Sequence, residues 1–253
     1  MKTSDKDDQL SIICIGLEED EIIQTISTFS IFDNVLHAVY IVSPTKVNLP
    51  SFKYNFNIYH ICDDNRGIYE AMNLGLQAID TRAFMIVNAG DYLQEEVSYK
   101  SDDIITDSLI LFISKRNLFW KIYFRLKLFK LISKENFAMF TIRLGFMPCS
   151  HQNIIYPVLS KSHPFPHSYR YSADYVHLYE EIFNFKRPLK IINGSIGQTS
   201  PGGVSDTQRL SVIIQRLQFF HSLGRLSVAY IALSVYLFLI ILSKLLYQLK
   251  NLH

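Results

Sequence analysis

The sequence predicts an α/β fold built on a mostly parallel sheet, and three observations support this prediction. Short β-rich runs alternate with helical patterns through the first half of the chain. One segment between two of these runs has the apolar spacing of an amphipathic helix. The chain has 253 residues, 49% of them hydrophobic, which is enough for one large core. Together they favour one large domain with an appendage over two independent domains.

Four runs provide the predicted strands. They are SIICI, AVYIV, NIYHI and FMIVN, at residues 11–15, 38–42, 57–61 and 84–88. Runs that are separated by helical segments in this way pair in parallel and need crossover connections. Because ligands bind beyond the carboxyl ends of the strands in an open α/β sheet, the loops after these runs are the first places to look for a site.

The clearest predicted helix lies between the third and fourth strands. Its apolar residues recur at i, i+3 and i+4, and they are Ile68, Ala71, Met72, Gly75, Leu76 and Ile79. Gly67 stands directly before this helix. The loop therefore closes on a helix N-terminus, whose free N–H groups can bind an anion.

The C-terminal part of the chain predicts contact with a membrane. Residues 226–242 contain no charged residue and lie between Arg225 and Lys244. Their length is near the lower limit of about 17 residues for a membrane span. We expect a hydrophobic helix here that crosses the bilayer or lies in one leaflet, and a buried or partner-bound helix is the alternative. The predicted division is a catalytic domain of residues 1–210 and a helical membrane-associating segment of residues 211–253.

Residues 117–134 also have a composition that is common at membrane interfaces, because they mix aromatic with basic side chains. On a helical wheel the charges fall on two sides rather than in one stripe. Interfacial contact and ordinary packing with solvated lysine heads therefore both remain open.

Charge and cysteine usage exclude several classes. The formal net charge is only +2 and the basic residues are dispersed, which argues against a nucleic-acid partner. Cys14, Cys62 and Cys149 are far apart and have no C-x-x-C spacing, so neither a disulfide framework nor a zinc site is indicated. Residues 1–9 are polar and acidic, unlike a secretory signal. The expected location is the cytoplasmic face of the membrane.

A candidate metal ligand follows the fourth strand, in the sequence Asn88-Ala89-Gly90-Asp91. A carboxylate at a strand end, next to a glycine that lets a phosphate approach, can bind Mg²⁺ or Mn²⁺ whose other ligands are phosphates and water. The same four residues are also compatible with a plain turn.

Several ordered motifs resemble those of a known family. The stretch DDNRGIYEAMNLG at residues 63–75, followed by NAGD at residues 88–91, resembles the donor-site signature of family 2 glycosyltransferases. The likeness is strongest to the colanic-acid and exopolysaccharide type. PCSHQ at 148–152, YSADY at 171–175 and GGVS at 202–205 resemble three later family elements, in the same order.

This resemblance implies a GT-A fold, an inverting transfer and a divalent cation, Mg²⁺ or Mn²⁺, on the nucleotide diphosphate. Asp91 would bind the metal, and Asp174 would be the general base. The residues implied along the donor are Asp63, Arg66, Gly67, Asn73, Asn88 and Asp91. Those implied on the sugar or acceptor side are His151, Gln152, Gly202 and Gly203, with His151 also a candidate catalytic residue.

Each assignment has a structural alternative. Asp174 could cap the helix that follows it, His151 could be a packed or surface histidine, and the two glycines could form a simple loop rather than a mobile lid.

The sequence departs from the family pattern after the first two strands. The family has an Asp-rich loop after the second strand, where this chain has Ser43-Pro44-Thr45-Lys46. The aspartate that holds the nucleotide base is therefore missing. Glu18, after the first strand, is the candidate replacement.

The resulting hypothesis is a glycosyltransferase that moves a sugar from a nucleotide-sugar donor to a saccharide or lipid-linked acceptor at the cytoplasmic membrane. The missing loop supports an alternative, a catalytically weak membrane-tethered scaffold of a polysaccharide-synthesis complex. A nucleotidyltransferase is disfavoured, because no glycine-rich basic loop follows the first strand.

Overall fold

The computed structural model describes residues 9–49, 54–94, 101–114, 117–125, 127–199 and 207–225, with residues 227, 230, 231 and 234. Gly202, Gly203 and most of residues 226–242 lie outside the described residues, so the lid and the C-terminal hydrophobic helix stay predictions. In the part of the chain that is described, no helix combines the length and the apolar character that a bilayer span requires.

The strands in these ranges are β1 (Leu10–Ile15), β2 (Leu36–Ser43), β3 (Asn57–Cys62), β4 (Ala83–Asn88), β5 (Tyr92–Leu93), β6 (Leu109–Ile113), β7 (Ile154–Pro157), β8 (Leu189–Asn193) and β9 (Gly197–Gln198). The α-helices are α1 (Glu19–Ser27), α2 (Ile68–Ala78), α3 (Ser101–Ile104), α4 (Leu118–Arg125), α5 (Lys134–Arg143), α6 (Ala173–Phe183) and α7 (Arg209–Ser222). The predicted strands and the predicted helix correspond to β1 to β4 and α2.

The main sheet has the strand order β3-β2-β1-β4-β7-β6-β8. The four predicted strands pair in parallel, β7 runs antiparallel to both of its neighbours, and β6 and β8 pair in parallel. The prediction of a mostly parallel α/β sheet is therefore confirmed. A small antiparallel pair, β5 with β9, connects the segment after β4 to the segment after β8.

The core has two layers because both faces of the sheet are covered. Alternate residues of β1 belong to different clusters: Ile13 and Ile15 to one, and Ile12 and Cys14 to the other. Helices α2 and α6 pack in the first cluster and α1 in the second. A sheet covered on both faces explains why these strands are almost continuously apolar.

Helix α7 contains the predicted boundary at residue 210. Its Phe219 and Phe220 are buried, and they pack against the rings of Tyr175 and Tyr179 on α6. The start of the predicted C-terminal segment therefore packs on the core, and the division into two units stays a prediction.

We predict that Gly75→Ala destabilises the protein, although alanine is the better helix former. A Cβ at this position would lie 2.4 Å from Ile13 Cγ2, so α2 would have to move away from the sheet. Overpacking of this kind costs about 1–3 kcal/mol, whereas helix propensity alone would stabilise by about 1 kcal/mol. Urea unfolding distinguishes the two, with the exposed Gln77→Ala of the same helix as the control. A Gly75→Ala protein at least as stable as wild type would contradict the close packing.

Candidate functional site

The candidate site lies at one edge of the main sheet, where several motifs of the sequence meet. Ile15 pairs with both Val42 and Asn88, so β1, β2 and β4 end at the same level. β3 ends beside them, because Ser43 pairs with Cys62. The loops after these strands therefore open on a common edge, as expected for an open α/β sheet.

Asp91 lies in a tight turn at the end of β4. Its backbone N–H donates to Asn88 O over 3.0 Å, and Gly90 has a φ of +88°, which favours glycine. The side chain is 5% exposed. Asp91 is close enough to Cys14 that its charge adds to burial in raising the pKa of that thiol to about 12.

Two threonines that the sequence analysis missed hold this turn in place. Thr25 Oγ1, on α1, accepts from Gly90 N–H over 3.0 Å and donates to Asp91 O over 2.8 Å. Thr28 Oγ1 accepts from Leu93 N–H over 3.0 Å. Thr25 lies in the last turn of α1 and Thr28 is the C-cap residue of that helix, so their spacing of three residues was the available indication.

The loop before α2 has two residues in the left-handed region. Asn65 has a φ of +54° and its N–H donates to Asp63 Oδ1, while Gly67 has a φ of +113°. A Cβ at Gly67 would contact nothing within 4 Å, so the conformation rather than the space requires glycine there. Ala71 N–H makes the first intrahelical bond to Gly67 O, which leaves the preceding N–H groups without helical partners.

Acidic and basic side chains surround the mouth of this loop. Arg66 pairs with Asp64 over 2.9 Å and with Glu70 over 3.8 Å, and His167 Nδ1 lies 3.2 Å from Glu70. Arg66 is mostly exposed, so these ion pairs contribute little to stability. They leave the guanidinium at the solvent side of the loop.

Asn73 is largely buried, and its amide group is used by the protein itself. It donates to Phe165 O over 3.0 Å and accepts from Phe165 N–H over 2.7 Å. Asn73 thus fastens the segment before α6 to α2. Its implied contact with the donor stays a prediction.

Asp174 lies at the N-terminus of α6, but it is not the cap residue. The helix begins at Ala173 and its N-cap is Ser172. Asp174 Oδ1 accepts from Tyr175 N–H over 2.8 Å and from Tyr69 Oη over 3.3 Å. Burial and the charge of Asp174 keep the pKa of Tyr69 well above its usual range, so the phenol stays a donor. Tyr69 stands within the motif at residues 63–75, yet no local pattern indicates its contact with Asp174.

His151 and Gln152 form a short 3-10 turn before β7, beside the end of β4. β4 and β7 are antiparallel, with Met85 opposite Ile155. Continuing this register places Asn88 opposite Gln152. Gln152 is fully buried, and its Nε2 donates to Thr199 Oγ1 over 2.6 Å. Among the described residues, Asn88 Oδ1, His151 Nε2 and Gln152 Oε1 are buried without a hydrogen-bond partner. Such atoms are costly, so their collection at one edge indicates a place where a ligand can supply the missing bonds.

Asn153, which the sequence analysis also missed, organises the neighbouring loop. Its Oδ1 accepts from Ile196 N–H and Gly197 N–H, and its Nδ2 donates to Gly197 O. A cavity of about 160 Å³ lies beside it, lined in part by Ser114, Ser150 and Ser195. The edge around His151 and Gln152 is therefore polar, and hydrogen bonds from Asn153 to the backbone hold the neighbouring loop.

Two other predictions from the sequence concern Glu18 and the metal site. Glu18 is exposed and precedes α1 as its N-cap, so it lies after β1 at the same edge. Within the described ranges, no group of three or more His, Cys, Asp or Glu side chains is arranged to hold a metal ion. Asp91 and Asn88 together offer one carboxylate and one amide oxygen, which are suitable ligands for Mg²⁺ or Mn²⁺ if phosphates supply the others.

Comparison with solved structures identifies similar folds. A mannosyltransferase from Pyrobaculum calidifontis, in complex with GDP-Man and Mn²⁺, is similar with a TM-score of 0.56 and 12% identity, over 90% of this chain and 74% of that one. Glucosyl-3-phosphoglycerate synthase from Mycobacterium tuberculosis, with Mn²⁺, UDP and phosphoglyceric acid, has a TM-score of 0.51 and 12% identity, over 83% and 78%.

TarS residues 1–349 of S. aureus, in complex with UDP, has a TM-score of 0.50 and 12% identity. That match covers 82% of this chain but only 65% of the TarS chain, so this protein spans about two thirds of it. No protein-family model and no curated protein matches the sequence. The GT-A-like fold is confirmed, and at this identity the likeness establishes the fold alone.

The packing behind the site predicts a specific pH dependence of stability. His177 is buried on α6 between Phe165 and Tyr156, with ring centroids 4.2 Å and 5.3 Å away. Burial, and to a lesser extent His163, lowers its pKa from the ordinary 6.5 to about 3. The unfolded chain therefore binds a proton that the folded chain does not. Stability due to neutral His177 is complete above pH 6.5 and is lost as the pH falls toward 3.

Urea unfolding at several pH values tests this. Between pH 6.5 and 3, His177 should contribute a slope of about 1.4 kcal/mol per pH unit, and His177→Phe, which keeps an aromatic ring, should lose that slope. His221→Gln, at an exposed position, should retain it. An unchanged slope in His177→Phe would contradict the buried neutral state.

Proposed function

We propose that this protein is a glycosyltransferase that moves a sugar from a nucleotide-diphosphate sugar to an acceptor hydroxyl. The observation that carries the proposal is that polar atoms of Asn88, His151 and Gln152, at the sheet edge that also bears Asp91, are buried without a hydrogen-bond partner. These residues belong to motifs that are far apart in sequence. The similar folds are those of sugar transferases whose structures contain UDP or GDP-Man, which supports a nucleotide-sugar donor.

In this proposal Asp91 and Asn88 hold a divalent cation, Mg²⁺ or Mn²⁺, on the donor diphosphate. Their carboxylate and amide oxygens are the ligand types that these hard cations prefer. Two of the similar structures contain Mn²⁺. When bound, the cation neutralises charge that develops on the leaving nucleoside diphosphate. The loop around Asp63, Arg66 and Gly67 would bind the same diphosphate with backbone N–H groups of α2.

Asp174 would take the proton of the acceptor hydroxyl, because a hydroxyl is a poor nucleophile until a base removes its proton. The N–H of Tyr175 and the phenol of Tyr69 both donate to Oδ1. These bonds fix the carboxylate and leave Oδ2 for the acceptor. Attack on the anomeric carbon in a single displacement would invert that centre and release the nucleoside diphosphate.

The acceptor would lie on the side of His151, Gln152 and the glycine pair Gly202 and Gly203. We further propose a saccharide or lipid-linked acceptor in envelope or exopolysaccharide synthesis, at the cytoplasmic face of the membrane. The motif resemblance supports the colanic-acid type, and the apolar residues 226–242 support a membrane-bound acceptor.

A second candidate function is a catalytically weak scaffold of a polysaccharide-synthesis complex. The loop after β2 favours it, because Ser43 Oγ bonds Thr45 O over 2.7 Å and lies 2.8 Å from His60 Nε2. Ser43 begins the stretch that stands where family 2 glycosyltransferases have an Asp-rich loop, and its hydroxyl is bonded within the protein. Glu18, the candidate replacement, would have to hold the nucleotide base alone.

We predict that Asp91→Ala weakens metal-dependent binding of a nucleoside diphosphate. The cation would lose its one protein carboxylate, so the affinity should fall by at least roughly tenfold, the loss typical of residues that merely support a metal ligand. Calorimetry with UDP and GDP, with and without Mn²⁺, measures this.

Asp107→Ala is the matched control, because Asp107 pairs with Arg82 before β4, away from the carboxyl edge. Its Mn²⁺-dependent affinity should equal that of wild type. Equal affinity in Asp91→Ala would remove Asp91 as the metal ligand, and no nucleotide binding by the wild type would favour the scaffold.

We predict that Asp174→Asn slows sugar transfer by roughly 100- to 10,000-fold, because asparagine cannot accept the proton. Donor binding should be unchanged, and stability should change by about 1 kcal/mol or less. Glu180→Gln, on the same helix, is the control and should transfer at the wild-type rate. A lower melting temperature with a near wild-type rate would assign Asp174 a structural role and make His151 the next candidate base.

A further inference from the structure

Helices α4 and α5 form a hairpin whose inner faces are aromatic. The ring of Phe137 lies 4.7 Å from that of Tyr123 and 5.3 Å from that of Trp120. Tyr123 Oη donates to Ile132 O over 2.8 Å, which ties the connecting segment to α4. The hairpin therefore holds its tip, residues 127–133, in a defined position.

The tip combines a strongly exposed apolar side chain with positive charge. Leu131 is 86% exposed, more than any other large apolar side chain in the described ranges. Lys127 and Lys130 beside it are exposed. An isolated exposed leucine is ordinary, but here the leucine follows Lys130 directly at the turn between two packed helices.

The rest of the hairpin has the same character. Two apolar side chains, Ile122 and Phe140, are 36% and 52% exposed. Its exposed charged side chains, among the described residues 117–143, are all cationic: Lys121, Arg125, Lys127, Lys130 and Arg143. Glu135, the carboxylate of this stretch, is only partly exposed. Burial and the charge of Glu135 raise the pKa of Tyr123. The exposed surface of the hairpin is therefore strongly basic, although the net charge of the whole chain is only +2.

We propose that the tip docks on an anionic lipid bilayer, with Leu131 inserted among the acyl chains and Lys127 and Lys130 at the lipid phosphates. Charge complementarity selects an anionic surface, since each lysine near such a surface attracts it independently. The exposed leucine distinguishes a bilayer from a soluble polyanion, because only the bilayer offers an apolar phase.

Docking at this tip would also orient the candidate site. At the base of the hairpin, Trp120 Nε1 donates to Pro148 O over 3.0 Å, and Asn117 Nδ2 donates to the same oxygen over 3.4 Å. Pro148 begins the segment that carries His151 and Gln152. If the proposed function holds, the acceptor side is thereby held at a fixed distance from the membrane, as a lipid-linked acceptor requires.

The test is co-sedimentation of the full chain with vesicles at low salt. One set contains phosphatidylcholine alone and the other an equimolar mixture of phosphatidylcholine and phosphatidylglycerol. Binding to the first set measures the part that does not depend on lipid charge. The proposal concerns the additional binding in the second set, to which the lysines contribute. Lys127→Gln with Lys130→Gln should reduce this increment by roughly 25-fold, about fivefold for each lysine. Leu131→Asn should reduce it on the order of tenfold.

The control variants are Lys186→Gln and Leu159→Asn. Lys186 is exposed and has a φ of +54°, close to the +53° of Lys127, and Leu159 is 49% exposed outside the hairpin. Both should retain the full increment. Circular dichroism confirms that each variant is folded.

Three results would overturn the proposal: no increment with phosphatidylglycerol, tip variants that bind like wild type, or heparin binding as tight as vesicle binding and unaffected by Leu131→Asn. The last would instead indicate a soluble acidic partner. Mn²⁺-dependent UDP and GDP affinity, measured on the same variants, should not change. The two proposals can therefore fail separately. A wild-type protein that binds nucleotide but shows no vesicle increment contradicts the docking proposal. One that shows the increment but binds no nucleotide contradicts the proposed function.

Discussion

The parallel pairing of β1 with β2 and β4 is the constraint on which the candidate site depends. Ile15 is level with Val42 on one side and with Asn88 on the other. A shift by one residue would move each core side chain of a strand to the opposite cluster, where the helices on that face pack against different side chains. The turn of Asp91 and the loop of Asp63 therefore open at one edge, whatever the sequences of the loops themselves. The fold assembles one site from segments that are remote along the chain.

Buried hydrogen bonds from the helices then fix these loops more closely than the strands alone can. Thr25 bonds both a donor and an acceptor of the turn at Asp91. Asn73 likewise donates to the carbonyl oxygen of Phe165 and accepts from its N–H. A buried backbone group that loses its partner costs about 1–3 kcal/mol, so each loop has a strongly preferred position. In the proposed function, Asp91 and Asp174 act on one donor and acceptor pair and need this precision.

The parts of the fold that were predictable are those with a local pattern. β1 to β4 are short runs rich in apolar residues, and α2 repeats its apolar residues at the period of a helix. β7 was not predictable, because its four residues pair with a strand far away in sequence and no local feature encodes that partner. The same limit applies to the site. Tyr69 and Asp174 both lie in the quoted motifs, but their contact joins positions 105 residues apart and depends on the packing of α6 against α2.

Contacts near both ends of α6 position Asp174. At its C-terminal half, the buried carboxylate of Glu181 accepts from Ser160 Oγ over 2.5 Å and from Arg187 Nε over 3.2 Å, and lies 3.0 Å from His163 Nδ1. At its start, Tyr69 holds Asp174 from α2. A helix of 11 residues is a rigid rod of about 16 Å, so an anchor at one end limits the tilt at the other. The partners of Glu181 come from the segments that flank α6 in sequence, whereas Tyr69 comes from α2, on the other side of β4 in the chain. Asp174 is consequently oriented by contacts from separate parts of the chain, and the general base of the proposed function needs such a fixed orientation.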